Sequence, residues 1–524
     1  MKTKAISLLI ALFVFSLGVD AFGQSGDEAI RLYKKGNEAL DYGRYEEAIQ
    51  HFERSLKINH QLNNLFGISG NLNNIGEVYR SVGRYDESLK YFDESLKIRR
   101  QLNIPQDIAT SLNNIGLVYH YLGQYEKALS YYDESLKIDR QLNIPQDIAT
   151  SLNNIGGIYD SLGQHEKALS YYEESLKIYR QLNIPQDIAA SLNNIGSAYN
   201  SLGKYDDALK HHKEALKIKG ENKLSPDNIA ISLNNIGEVY HSIGMYDEAL
   251  WYYNEALKIR RELNLNIPQI IAGSLNNFGE VYRSLGRYDD ALKHFEEALK
   301  IFRELKTPQY IAISLNNIAS VYDSLGQYEK ALSYYDESLK IYRELKIPQN
   351  IAASLNNIGL VYDSIGRYDK ALKYLDEALK IDKKLGISKK IEIDLDNIGF
   401  VYLSLKDYKK AEGFFKKGGR KAGMVELYIA TGMNDEALKI LKEMTPRWNT
   451  EDPYRIQYHT QHGLALKGVG LFKEASSEFL KAVTLTEEMR QKVKGEKTGF
   501  LGAGGAGGRI RAYRGLFSTL AERA

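Results

Sequence analysis

Residues 111–145 read SLNNIGLVYHYLGQYEKALSYYDESLKIDRQLNIP. Leu112, Ile115, Gly116, Tyr119 and Leu122 are spaced i, i+3, i+4, i+7 and i+10, which is the apolar stripe of one helix. Gly123 lies just past that pattern and predicts its stop. A second helix follows, carrying Ala128, Leu129, Tyr132, Leu136 and Ile138 with no internal Gly or Pro. Pro145 then opens a third helix, in the first turn where its missing N–H costs nothing. Gly116 has no side chain, so the second helix can approach the first closely at that level. The unit is therefore a helix hairpin, and its aromatics sit at helical spacing as packing residues, with hydroxyls expected near water.

The unit repeats. The mid-helix Gly returns at Gly76, Gly116, Gly156, Gly196, Gly237, Gly279, Gly359 and Gly399, with Ala319 in one slot. The stop series runs from Gly43 and Gly83 to Gly326 and Gly366, with Lys406 substituting last. Pro105, Pro145, Pro185, Pro226, Pro268, Pro308 and Pro348 share one phase; Ser225 and Thr307, just before two of them, are candidate N-caps. The step is 40 residues, once 41 and once 42, giving ten repeats over 27–420. Residues 421–490 hold degenerate copies, with turns near Gly432 and Gly470, and 491–524 is a Gly-rich tail. Instead of three or four unrelated domains, the 524 residues read as one continuous array.

These residues resemble the tetratricopeptide repeat family. Its signature appears here as Leu72, Ile75-Gly76, Tyr79, Ser88, Phe92 and Ser95, and later copies restore Ala at Ala208, Ala215, Ala249 and Ala256. The 40-residue length and the Leu-Asn-Asn-Ile-Gly string look most similar to the repeats of kinesin light chains and Pins-type adaptors. The resemblance implies an all-α fold, a right-handed α-solenoid of stacked hairpins with a concave groove. It also implies that the polar side of each first helix lines that groove.

That side carries the first Asn of each pair, recurring as Asn73, Asn113, Asn153, Asn193, Asn234, Asn276, Asn316 and Asn356, with Asp394 and Asp396 at the ninth copy. A carboxamide ladder offers donors and acceptors to an extended peptide backbone. The second Asn, as in Asn74 and Asn114, is a candidate bridge between neighbouring helices. Four and seven residues after the first Asn the side chains vary. They are Glu77 and Arg80, Leu117 and His120, then Gly157 and Asp160, and Ser197 and Asn200. Further along come Glu238 and His241, Glu280 and Arg283, Ser320 and Asp323, and Leu360 and Asp363. Variation on one face of an otherwise repeating unit is what a partner-tuned surface shows.

Other chemistry is excluded or weak. The chain has no Cys, so it has no thiolate metal site, disulfide or Cys nucleophile. A net charge of +2 offers no field for nucleic acid or an anionic membrane. His459 and His462 share a helix face but need further metal ligands. Gly502–Gly507 matches GxGxxG without the strand and βαβ unit that give the motif meaning. No cofactor and no catalytic residue are expected.

Residues 1–23, with Lys2 and Lys4 before an apolar stretch from Ala5 to Val19, predict a cleaved secretory signal and an extracytoplasmic chain; an uncleaved anchor is the alternative. The last 40 residues resemble the junction before a CHAT domain, a caspase-like module that is not in this sequence. Three functions are thus in view: a non-enzymatic scaffold binding a protein or extended peptide, a sensor array for a separate CHAT peptidase, and a self-associating rod.

Overall fold

The computed structural model describes residues 25–262, 268–444, 453–492 and 508–523. The expected signal at 1–23 and the 493–507 part of the tail lie outside them. Among the described residues every regular element is a helix. Twelve hairpins follow one another, from 25–41 with Tyr45–Gln61 to Pro453–Gly468 with Phe472–Lys492, and a last helix spans Gly508–Arg523. They fall in two compact units, one through Ile158 and one from Tyr159 onward. Within each unit, helices adjacent in sequence pack on one another. No described helix is long and apolar enough to cross a membrane.

Each hairpin is set by one contact. A Cβ on Gly116 would meet the Tyr132 ring at 2.8 Å, so the second helix lies against bare first-helix backbone. In the hairpins that carry this Gly the partner is sixteen residues on, as in Phe52 against Gly36, Phe295 against Gly279, and Phe479 against Gly463. Ala319 fills the slot in one hairpin, and Gly423 meets Phe415 of the preceding helix instead. The Phe479–Gly463 contact lies in the degenerate region, so the hairpin persists beyond residue 420. Tyr132 is wholly buried and its hydroxyl has no partner, contrary to the expectation that framework hydroxyls stay near water. A second set of rings meets that expectation better. Tyr119 stacks on Tyr131 at 5.4 Å, with the Lys127 ammonium 5.0 Å from the Tyr119 ring, and the same pairing recurs as Tyr322 with Tyr334 and Tyr362 with Tyr374.

Buried serines tie the two helices. Ser135 Oγ donates to the Ala109 carbonyl at 3.0 Å, and Ser95 and Ser338 reach the carbonyls of Ser69 and Ala312 in the same way. Those serines occupy positions that other copies fill with Ala. Along the second helices, Arg100–Glu134, Arg180–Glu214, Arg303–Glu337 and Arg343–Glu377 join neighbouring repeats at 2.8–3.2 Å. Being half exposed, each pair adds little stability and chiefly matches one repeat to the next.

The prolines sit in the first turn of their helices, but the residues before two of them do not cap as expected. Ser225 is at the N-cap without a capping bond and instead accepts from Asn228 Nδ2. Thr307 Oγ1 donates to the Phe302 carbonyl, closing the preceding helix. Helix stops use left-handed backbone twice per repeat. Gly123 has φ 66° after the first helix, and Asn143 has φ 54° after the second. Asn tolerates that region better than most residues, whereas Lys406, at φ 60°, does not. Lys406→Gly should therefore raise stability by about 1 kcal/mol. Gly116→Ala, by pressing a methyl into the Tyr132 ring, should lower it by about 1–3 kcal/mol. Urea unfolding followed by circular dichroism measures both, and equal midpoints for the three proteins would contradict the account.

Candidate functional site

The variable side chains lie where the first helices show their polar side, half buried in most repeats. In the first unit Glu77 and Arg80 form an ion pair one turn apart, and the Arg80 guanidinium rests 5.9 Å from the Tyr121 ring. His120 contacts the rings of Tyr121 and Tyr125. In the second unit Asp160 bonds His165 Nδ1 at 2.7 Å, and Glu280 pairs with Arg283 at 2.7 Å. His241 Nε2 lies 2.9 Å from Ser284 Oγ, and burial lowers its pKa. Glu238 is exposed at its surface, yet surrounding protein pushes its carboxyl up. Asp323 is pushed up to about 6 by burial, and Asp363 is raised for the same reason.

The Asn ladder is engaged with the fold. Asn113 Nδ2 donates to Ser151 Oγ of the next repeat at 3.3 Å, and Asn276 reaches Ser314 likewise. Asn316 donates to Ser338 and Ser354 at 2.9 and 3.2 Å. Asn193 is buried between Ser232 and His212. The second Asn of the pair crosses the other way: Asn74 donates to Asn37, Asn114 to Asn73, and Asn397 to Asn356. The carboxamides thus stitch adjacent first helices together. Asn153 also has interaction partners. Asn200 Oδ1 and Asn234 Oδ1 differ, being buried acceptors with no hydrogen-bond partner. The ladder offers a ligand less than its composition suggests, and the positions four and seven residues on offer more.

Two clusters were only half visible in the sequence, which named Asp394, Asp396, His459 and His462 without their partners. At the ninth copy Asp394 replaces the Ser of earlier repeats and meets Asp382, the last-turn residue of the preceding helix; both are buried. Burial, then the Asp382 charge, pushes Asp394 up to about 8, so the pair holds a proton at neutral pH. Asp396, in the first-Asn slot, is pushed up to about 6 by burial and lies 3.4 Å from Arg420. Further on, His459 and His462 both turn to one carboxylate oxygen of Glu478, at 2.7 and 3.3 Å, while Lys481 takes the other at 2.7 Å. Burial works against the Glu478 charge, but those three partners hold its carboxyl well below the usual range. This is a structural knot between two helices. Among the described residues no group of three or more His, Asp or Glu side chains is placed to hold a metal ion.

A tetratricopeptide repeat model matches residues 68–141, 107–181, 187–262, 270–344, 311–384 and 350–418, and another matches 30–61. A PPR repeat model matches 423–445. No curated protein sequence matches the chain. Among solved structures, BtubC (BKLC) from P. vanneervenii is 25% identical, with 42% of this chain and 88% of that one covered at a TM-score of 0.35. A Rap protein complexed with competence and sporulation factor is 16% identical, with 69% and 99% covered at 0.48. The apo form of RapI is 20% identical, with 52% and 97% covered at 0.41.

The buried aspartate pair has a pH signature. The native state binds its proton more tightly than the unfolded chain does, so that contribution is complete below the usual carboxylate pKa and is lost as pH climbs to about 8. Asp394→Ser, which restores the residue of the other repeats, should stabilise the protein by about 1 kcal/mol or more at pH 8. The gain should shrink at pH 4. Urea unfolding at the two pH values reads the difference; a gain independent of pH would rule the shared proton out.

Proposed function

Because the chain belongs to the tetratricopeptide-repeat family, we propose that it is a non-catalytic scaffold that binds a protein or extended peptide along its first-helix face. One observation carries the reading. On the exposed side of the second helices, Arg–Glu pairs join neighbouring repeats, whereas at the variable side of the first helices polar groups remain unmatched. Asn200, Asn234 and Asp363 each keep a buried oxygen without a hydrogen-bond partner there. Leaving such groups unmade costs about 1–3 kcal/mol each, a cost that a bound chain bearing N–H donors relieves. Side chains at the variable positions then select among partners.

The proposed setting is extracytoplasmic. Lys2, Lys4 and the apolar stretch from Ala5 to Val19 support it, and a chain without Cys, which cannot form wrong disulfides, is compatible with it. The test is affinity capture from the extracytoplasmic fraction, quantified by mass spectrometry. Ser197→Arg combined with Glu238→Arg, both on the first-helix face, should cut recovery of specific partners by about tenfold or more. Lys380→Glu, exposed on a second helix, should leave recovery unchanged. Equal recovery by all three proteins would sink the proposal.

A further inference from the structure

The second unit contains a recess of about 490 Å³ on its first-helix face. Successive first helices, Pro308–Ser324, Pro348–Ser364 and Ser388–Ser404, supply Asp323, then Leu360 and Asp363, then Phe400 and Leu403. The far wall is Arg511, reaching in from the terminal helix Gly508–Arg523. Its size falls within the range of sites that enclose side chains or small ligands.

The charges around this recess do not balance. Arg511 is already committed, donating to both oxygens of Glu426 at 2.9 and 3.0 Å, and Gln461 Nε2 adds a third bond to the same carboxylate. No cation is left for the other two carboxylates. Burial alone raises Asp323 and Asp363, with no opposing charge close enough to offset it. Asp363 Oδ1 is buried without a hydrogen-bond partner. Upstream on the same face the unmatched atoms, Asn200 Oδ1 and Asn234 Oδ1, are also acceptors. What the face lacks is donors, and what the recess lacks is a positive charge. Leu360, Phe400 and Leu403 line the same recess beside the aspartates, an apolar surface suited to the hydrocarbon stem of a long cationic side chain. A bare divalent cation fits poorly, because it needs six or more oxygen ligands and no group of three candidate ligands is gathered among the described residues.

We propose that this recess binds the Lys or Arg side chain of an extended peptide, held by Asp323 and Asp363. The proposal deepens the peptide-binding reading and rests on it. The head group meets the two carboxylates and its stem covers Leu360 and Phe400. The peptide backbone continues along the first helices toward Asn234, and its N–H groups face the orphaned carboxamide oxygens. The Arg511–Glu426 pair bounds the site at its outer edge.

The test uses the full chain and a positional-scanning library of fluorescein-labelled hexapeptides, one position fixed at a time, read by fluorescence anisotropy. Wild-type protein should select Arg or Lys at one position. Asp323→Asn with Asp363→Asn should weaken the best such peptide by about tenfold or more and abolish the preference, since charge-assisted bonds to two carboxylates are removed. The double variant should melt no lower than wild type, because each carboxylate is unpaired in the free protein; a preserved circular dichroism melt keeps the binding result interpretable. As a second arm, Asp323→Lys with Asp363→Lys should shift selection toward Asp or Glu. Peptide binding without basic selection, or selection that survives the Asn variant, would overturn the pocket and leave the scaffold reading standing. Binding of no peptide at any position would overturn the pocket together with the extended-peptide form of the scaffold reading.

Discussion

The structure depends on a ring set against bare backbone. A helix-interior glycine is about 1 kcal/mol poorer than alanine for helix formation, yet it recurs in almost every first helix. Its return is proximity: Tyr132, Phe295 and Phe415 lie where a methyl on Gly116, Gly279 or Gly399 would stand. The ring must come from the residue sixteen positions on, because only one length of turn brings that side chain opposite the gap. Fixing this contact fixes the turn, and the turn's left-handed Gly follows. Where the ring side of the pair is altered, as in Leu375 against Gly359 or His212 against Gly196, the spacing survives. Even Phe479 keeps it against Gly463, at a point where little else of the repeating sequence remains.

With the hairpin fixed by apolar contact, polar residues are free to join one hairpin to the next. Ser135 and its equivalents spend their hydroxyls inside the hairpin, and the Asn pairs spend their amides between hairpins. A carboxamide facing solvent in an isolated hairpin is half-buried once its neighbour is in place. This explains how a recurring Asn can look like a ligand ladder and still act largely as a joint. The positions four and seven residues later carry no recurring inter-repeat bond, although His241 reaches Ser284 and Arg80 the Tyr121 ring, and there the residue types vary from Arg80 to Asp323 to Leu360.

The hairpins, their Gly stops and their Pro starts were legible because each is a local signal repeated many times in register. What stayed hidden depends on partners on a different helix or on a conformation with no fixed composition. Asn143 stops its helix at positive φ, but an Asn before Ile-Pro carries no strong mark of that. The Asp382–Asp394 pair needs two changes on different helices to coincide, so neither residue alone announces it. His459 and His462 were visible as a pair on one face, but the carboxylate that decides their role, Glu478, comes from the next helix. The same limit applied to the candidate face: its residues could be enumerated from the repeat, while which of them remain unmatched could not.

That last distinction separates the two faces of the array. On the second helices, Arg–Glu pairs such as Arg303 with Glu337 and Arg343 with Glu377 close between neighbouring repeats. On the first helices of the second unit, charges are completed within a single turn, as in Glu280 with Arg283, or left unanswered, as in Asp323 and Asp363. A repeat that pairs its own charges is neutral to a passing chain, and one that does not is a point of attraction. Within a unit, alternating such repeats spaces these positions by the hairpin step. The contact between ring and glycine thereby does more than hold each hairpin: it sets the distance between successive variable positions, and in the proposed scaffold those positions supply what is read at each.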